Sequence, residues 1–131
     1  MKAGITAALG AWLVLIATAH ADISRELAEA SKPLSEGIPE VAAFRLHGLL
    51  KQPLSEADWR AVAEKLVEAL AGTNQTKEAL ALLADPRLRA SLVAKFWRAQ
   101  LLAGIHQEAE ALLLYREVAA DERSDLRSEA L

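Results

Sequence analysis

The side chains that could do chemistry are present, but they are not grouped as chemistry requires. Histidine occurs three times, at His20, His47 and His106, and cysteine is absent. His106 and Glu110 are four residues apart, a spacing that puts both on one helical face. A metal site needs three or four ligands and a hydrogen-bonded shell behind them. No other histidine lies near, so His106 reads as a surface-turn residue and no metal or cofactor ligand is assigned. Glutamates are plentiful, and any two could be drawn as the acid and base of a glycosidase. Nothing in their spacing marks two of them, and on amphipathic helices they form the expected solvated face. Lys95-Phe96-Trp97-Arg98 mixes cations and aromatics as a nucleic-acid stacking platform does. Phe96, however, falls on an apolar helical stripe, which makes core packing the better reading. There is no glycine-rich phosphate loop and no Gly-x-Ser-x-Gly elbow. No catalytic residue is assigned, and the chain is read as a non-enzyme.

The bulk composition points the same way. Hydrophobic residues make up 53% of the 131 residues and aromatics only 5%, so the surplus is Ala and Leu, both strong helix formers. The formal charge is −3 with the signs interspersed, which gives no electrostatic footprint for nucleic acid. Without cysteine there is no disulfide, thiolate metal site, Cys nucleophile or lipidated Cys, and packing alone must stabilise the fold.

The first 21 residues read as an address. Lys2 supplies a positive start, and Ile5 to Ala19 is an uncharged apolar run. Ala19-His20-Ala21 places small residues at the −3 and −1 positions of a signal peptidase site. Cleavage is expected between Ala21 and Asp22. The run is about 15 residues, short of the ~20 that span a bilayer as a helix. The expected destination is the periplasm or the exterior, with no stable membrane insertion after cleavage.

Beyond Asp22 the pattern is helical with short punctuation. A brief helix is expected over 22–31, a loop over 32–39 on account of two prolines and Gly37, and a second helix over 40–51. Ser55 caps a third helix, with Asp58 as a short capping-box partner and Leu54 and Trp59 at staple spacing. Trp59, Val62, Ala63, Leu66 and Leu70 then form one apolar stripe, and Gly72 is the expected stop. A short helix over 76–84 ends at Asp85-Pro86, which is expected to open the next helix, running to about residue 103. That helix carries Leu88, Leu92, Phe96 and Ala99 on one face and Val93, Trp97 and Leu101 on a neighbouring one. Two apolar faces imply neighbours on both sides. Gly104 is the expected left-handed turn residue, and 107–120 the partner helix. Ser124 is read as the cap of one more.

The segments LAGTNQTKEALAL, from Leu70, and LAGIHQEAEALLL, from Leu102, align at an offset of 32 residues. Gly72/Gly104 and Gln75/Gln107 are the telling matches, since Ala and Leu coincide cheaply in this composition. A two-helix unit with this period, carrying Ala111 four residues before Tyr115 and an acidic end, resembles a tetratricopeptide repeat. The resemblance assigns Ala99 and Ala111 to small positions where paired helices approach, Tyr115 to the aromatic position, and Ala79 to the equivalent small position of the earlier unit. Leu83 takes the aromatic slot there, and the usual closing proline after Asp121 is missing.

The resemblance covers 54–131, with 22–53 as N-terminal helices and linker. It implies an all-α fold of antiparallel helical hairpins stacked as a short right-handed solenoid. Its function would be to hold a protein or peptide partner on the concave surface as an envelope scaffold. Outward residues Arg60, Glu64, Arg98 and Gln100 of the first helices are the candidates to line that surface. The alternative is the non-catalytic helical region of a longer exported enzyme resembling a lytic transglycosylase. The ending DERSDLRSEAL is too short for a polar capping helix, which points to the N-terminal piece of a longer repeat protein. Mass spectrometry of exported material should find an N-terminus at Asp22, and an intact Met1 there would refute cleavage.

Overall fold

The computed structural model describes residues 23–121, which form six α-helices and one 3₁₀ turn, with no strand among them. They are α1 (23–35), α2 (Pro39–Leu50), α3 (Glu56–Gly72), α4 (Thr76–Leu83), the 3₁₀ turn Pro86–Leu88, α5 (Leu92–Gly104) and α6 (Glu108–Ala120). The all-α class is thus observed. The cleavage pair Ala21–Asp22 and the cap expected at Ser124 lie outside the described residues.

Local chemistry explains most boundaries. The Ser55 hydroxyl accepts from the Asp58 amide at 3.1 Å and starts α3, while Leu54 packs against the core cluster that includes the buried Trp59. Pro39 opens α2, where its missing N–H costs nothing. Two expected boundaries are corrected. The loop expected over 32–39 is helical as far as 35, so Pro33 sits inside α1. A proline there strips the carbonyl four residues back of its donor, and Arg45 Nη1 from α2 donates to that carbonyl, Glu29 O, at 3.4 Å. Asp85-Pro86 does not open the fifth helix: it makes the 3₁₀ turn, and α5 begins afterwards under its own cap, Ser91, which accepts from the Ala94 amide at 3.1 Å.

Three helix-to-helix corners share one hydrogen-bond pattern. The amides of Ile38, Gln75 and Gln107 reach back to the carbonyls of Pro33, Leu70 and Leu102 at 2.9, 3.0 and 2.9 Å. The amides of Gly37, Asn74 and His106 bond to the carbonyls of Leu34, Ala71 and Ala103 at 3.3, 3.3 and 3.2 Å. This is the Schellman pair, which satisfies carbonyls orphaned at a helix end and needs one left-handed residue. That residue is Gly37 (φ 76°), Asn74 (φ 58°) or His106 (φ 64°). Gly72 and Gly104 end their helices as expected, but the left-handed conformation expected at Gly104 is not there: in both corners it lies two positions later. Their roles also differ. A Cβ on Gly72 would stand 3.0 Å from Pro39 Cβ at the start of α2, whereas one on Gly104 would meet nothing within 4 Å.

Each corner leads to a buried alanine whose amide closes the first turn of the second helix. Ala42, Ala79 and Ala111 bond to the carbonyls of Ile38, Gln75 and Gln107, and are 0%, 0% and 2% exposed. Helix α3 lies at the centre, packed on α2, α4, α5 and the 3₁₀ turn, and α5 packs on α4 and α6. Val62, Ala63, Val67, Ala69 and Leu70 are 0% exposed and Leu66 1%. Burial of each large aliphatic side chain contributes about 1.5–3 kcal/mol. Ala99 is fully buried, and Phe96 packs edge-on against both Trp97 and Tyr115, at 5.8 and 6.2 Å between ring centres.

In thermal denaturation, Gly104→Ala should leave the protein unchanged or stabilise it by up to about 1 kcal/mol, because a helical glycine is replaced in open space. Gly72→Ala should lower the midpoint, since Pro39 has to move. A destabilised Gly104→Ala together with a neutral Gly72→Ala would contradict both assignments.

Candidate functional site

Three helices that each precede a corner, α1, α3 and α5, meet along one depression of about 240 Å³. Leu27 comes from α1, Ala61, Glu64, Lys65 and Glu68 from α3, and Val93 from α5. The spacing within α3 accounts for the lining. Positions 61, 64, 65 and 68 lie three and four apart on the face opposite the buried stripe. Ala61 is small enough to leave a trough between Leu27 and Val93.

Both carboxylates are held. Ser91 donates its hydroxyl to Glu64 Oε1 at 2.6 Å while accepting from the Ala94 amide, so the α5 cap is tied to the groove wall. Lys65 Nζ lies 3.2 Å from Glu68 Oε2. The groove thus has an apolar floor with charge along one side.

Of the outward candidates, Glu64 alone lines this groove. Arg60 instead donates from Nε to Arg87 O at 3.1 Å and pairs with Glu56 at 3.4 Å. Arg98 lies on another face, 3.6 Å from Glu110, and Gln100 is exposed. Leu27 and Val93 were missed as groove residues because apolar periodicity assigns such residues to a core. No signal in the sequence separates the two uses.

The histidines are in different places. His47 Nε2 lies 3.0 Å from Glu78 Oε1, linking α2 to α4. His106 sits in a corner and not on a helical face with Glu110; its Nδ1 is 3.4 Å from Glu108. Among the described residues no three His, Cys, Asp or Glu side chains gather as a metal site would need. Phe96 of the basic-aromatic run is buried.

One charged cluster secures the N-terminal end of α3. Arg87 places its guanidinium 3.4 Å from the ring centre of Trp59 and makes two hydrogen bonds to the Asp85 carboxylate, at 3.0 and 2.8 Å. Asp85 also caps the Arg87 amide at 2.9 Å. Arg87 holds the Asp85 carboxyl below its usual range, and Asp85 holds Arg87 above its own. Burial raises the Tyr115 phenol.

Comparison with protein-family models, with curated proteins and with solved structures finds no match to this chain.

Because Asp85 is a stronger acid folded than unfolded, its contribution is present above the unfolded value of 3.8 and is lost as pH falls through the lower folded value. Denaturant unfolding followed from pH ~5 to ~2 should therefore show an acid limb that Asp85→Asn flattens. Parallel curves for the two proteins would remove the pair from the stability of the fold.

Proposed function

We propose that this protein is an exported helical-repeat scaffold, similar to tetratricopeptide repeats, that holds a protein or peptide partner in the periplasm or envelope. The observation that carries the reading is the groove built by one helix from each of three hairpins: Leu27, Ala61 with Glu64 and Glu68, and Val93. A surface assembled across successive units is how stacked hairpins present an extended concave site.

The recurrent corner supports the repeat reading. The left-handed residue, the six-residue reach-back bond and the buried alanine recur in all three hairpins. The spacing is 37 residues from Gly37 to Asn74 and 32 from Asn74 to His106. The sequence supports export through Lys2, the apolar run and Ala19-His20-Ala21. A helical ligand would set apolar side chains at i and i+3 or i+4 along Leu27, Ala61 and Val93, with basic residues toward Glu64 and Glu68.

Photo-cross-linking residues placed at Ala61 and Val93 in the producing cell should give covalent adducts with a protein in the envelope fraction. Phe44 is 82% exposed but on α2, outside the groove, and a cross-linker there should give none. Adducts from position 44 alone, or from none of the three, would overturn the assignment.

A further inference from the structure

The second hairpin differs from the other two in one respect. Its second helix, α4, has 8 residues, against 12 in α2 and 13 in α6. The seventh residue after the corner alanine is Leu49 in the first hairpin and Val118 in the third, 5% and 0% exposed. In the second it is Pro86, and a proline disfavours helix at the residue before it. Asp85 is accordingly extended (φ −63°, ψ 130°), and the chain leaves in a 3₁₀ turn. The last helical turn is lost, and the gap opens as a depression of about 410 Å³ bounded by α4, the 3₁₀ turn, α5 and α6.

We propose that this depression binds a small organic monocarboxylate, one with an apolar body and a single anionic head. Ala84 and Leu114, with the edges of the buried Leu83 and Leu88, supply the apolar surface, and Arg89, Lys95 and Arg98 bring three cations to the same space. Its volume is that of a small-molecule site. The acidic groups nearby are already engaged. Asp85 is held by Arg87 at 2.8 Å, Glu110 lies 3.6 Å from Arg98, and Glu117 lies 3.5 Å from Lys95. Arg89 has no carboxylate within ion-pair reach among the described residues. The exposed Arg89 guanidinium thus borders the depression with no ion pair among the described residues. A carboxylate there gains a two-pronged hydrogen bond from a planar guanidinium, and the Arg98–Glu110 contact is long and water-exposed, so it opens at little cost.

The probe is hexanoate, titrated into the full chain with backbone amide shifts as the readout. Saturable shifts should be confined to 83–98 and 110–114. Acetate and hexanamide should bind at least about tenfold more weakly, since one lacks the apolar body and the other the charge. Arg89→Ala should weaken hexanoate by a similar factor with helicity unchanged, and Arg89→Lys should restore part of it. The proposal is overturned if hexanamide or acetate matches hexanoate. It is equally overturned if hexyl phosphate binds tighter, if Arg89→Ala has no effect, or if no shift appears.

Discussion

The bond from the amide of residue 38, 75 or 107 to the carbonyl five residues earlier is the constraint on which the rest of this fold depends. A helix ends with four carbonyls lacking partners, and burying such an end without satisfying them is costly. The reach-back bond satisfies one and the inner amide a second. Together they fix the direction in which the chain leaves. The next helix then starts at the residue that made the bond, and its fourth following residue is Ala42, Ala79 or Ala111. Each is 0–2% exposed, so a larger side chain there would have to displace its neighbours. Corner geometry and alanine burial are therefore one requirement expressed at two positions.

Helix α3 converts this local device into a core. Its stripe from Trp59 to Leu70 is buried, and it touches α2, α4, α5 and the 3₁₀ turn. Gly72 belongs to the same arrangement, because a Cβ there would stand only 3.0 Å from Pro39 Cβ, so the end of α3 meets the start of α2 too closely for a side chain. At the opposite end Arg87 covers Trp59 and is itself held by Asp85. No polar or charged side chain is buried among the described residues. The interior is held by apolar packing, and charge acts only at the ends and rims.

Much of this was legible in the residues. The 3.6-residue stripe of α3, the Ser55 cap, the stop at Asp85-Pro86 and the repeat from Leu70 to Leu114 follow from local preferences with no competing tertiary demand. What was not legible has definite causes. The corner at Gly37 escaped comparison because its requirement is a backbone angle, met by Gly, Asn or His in turn, and its offset is 37 residues, not 32. The matched glycines suggested the left-handed position, yet that position lies two residues later, where identities differ. Pro33 misled because α1 continues past it, and the carbonyl it leaves without a helical donor, Glu29 O, accepts from Arg45 of another helix. The groove was illegible for a deeper reason: it is made by residues as far apart as Leu27 and Val93, and only helix placement brings them together.

The Ser91 hydroxyl shows how such a surface is joined to the packing beneath it. It accepts from the Ala94 amide, which starts α5, and donates to Glu64 in the groove at 2.6 Å. The same oxygen therefore caps one helix and orients a carboxylate on another. A partner that drew Glu64 toward a cation of its own would lengthen that hydrogen bond and loosen the tie between the second and third hairpins. One that approached through Leu27, Ala61 and Val93 would leave the tie intact. Hydrophobic contact along the floor is thus compatible with the structure as it stands, whereas charge pairing at Glu64 is coupled to α5. In the proposed scaffold, a partner seated in this groove would draw its affinity from apolar contact, with charge deciding orientation and selectivity.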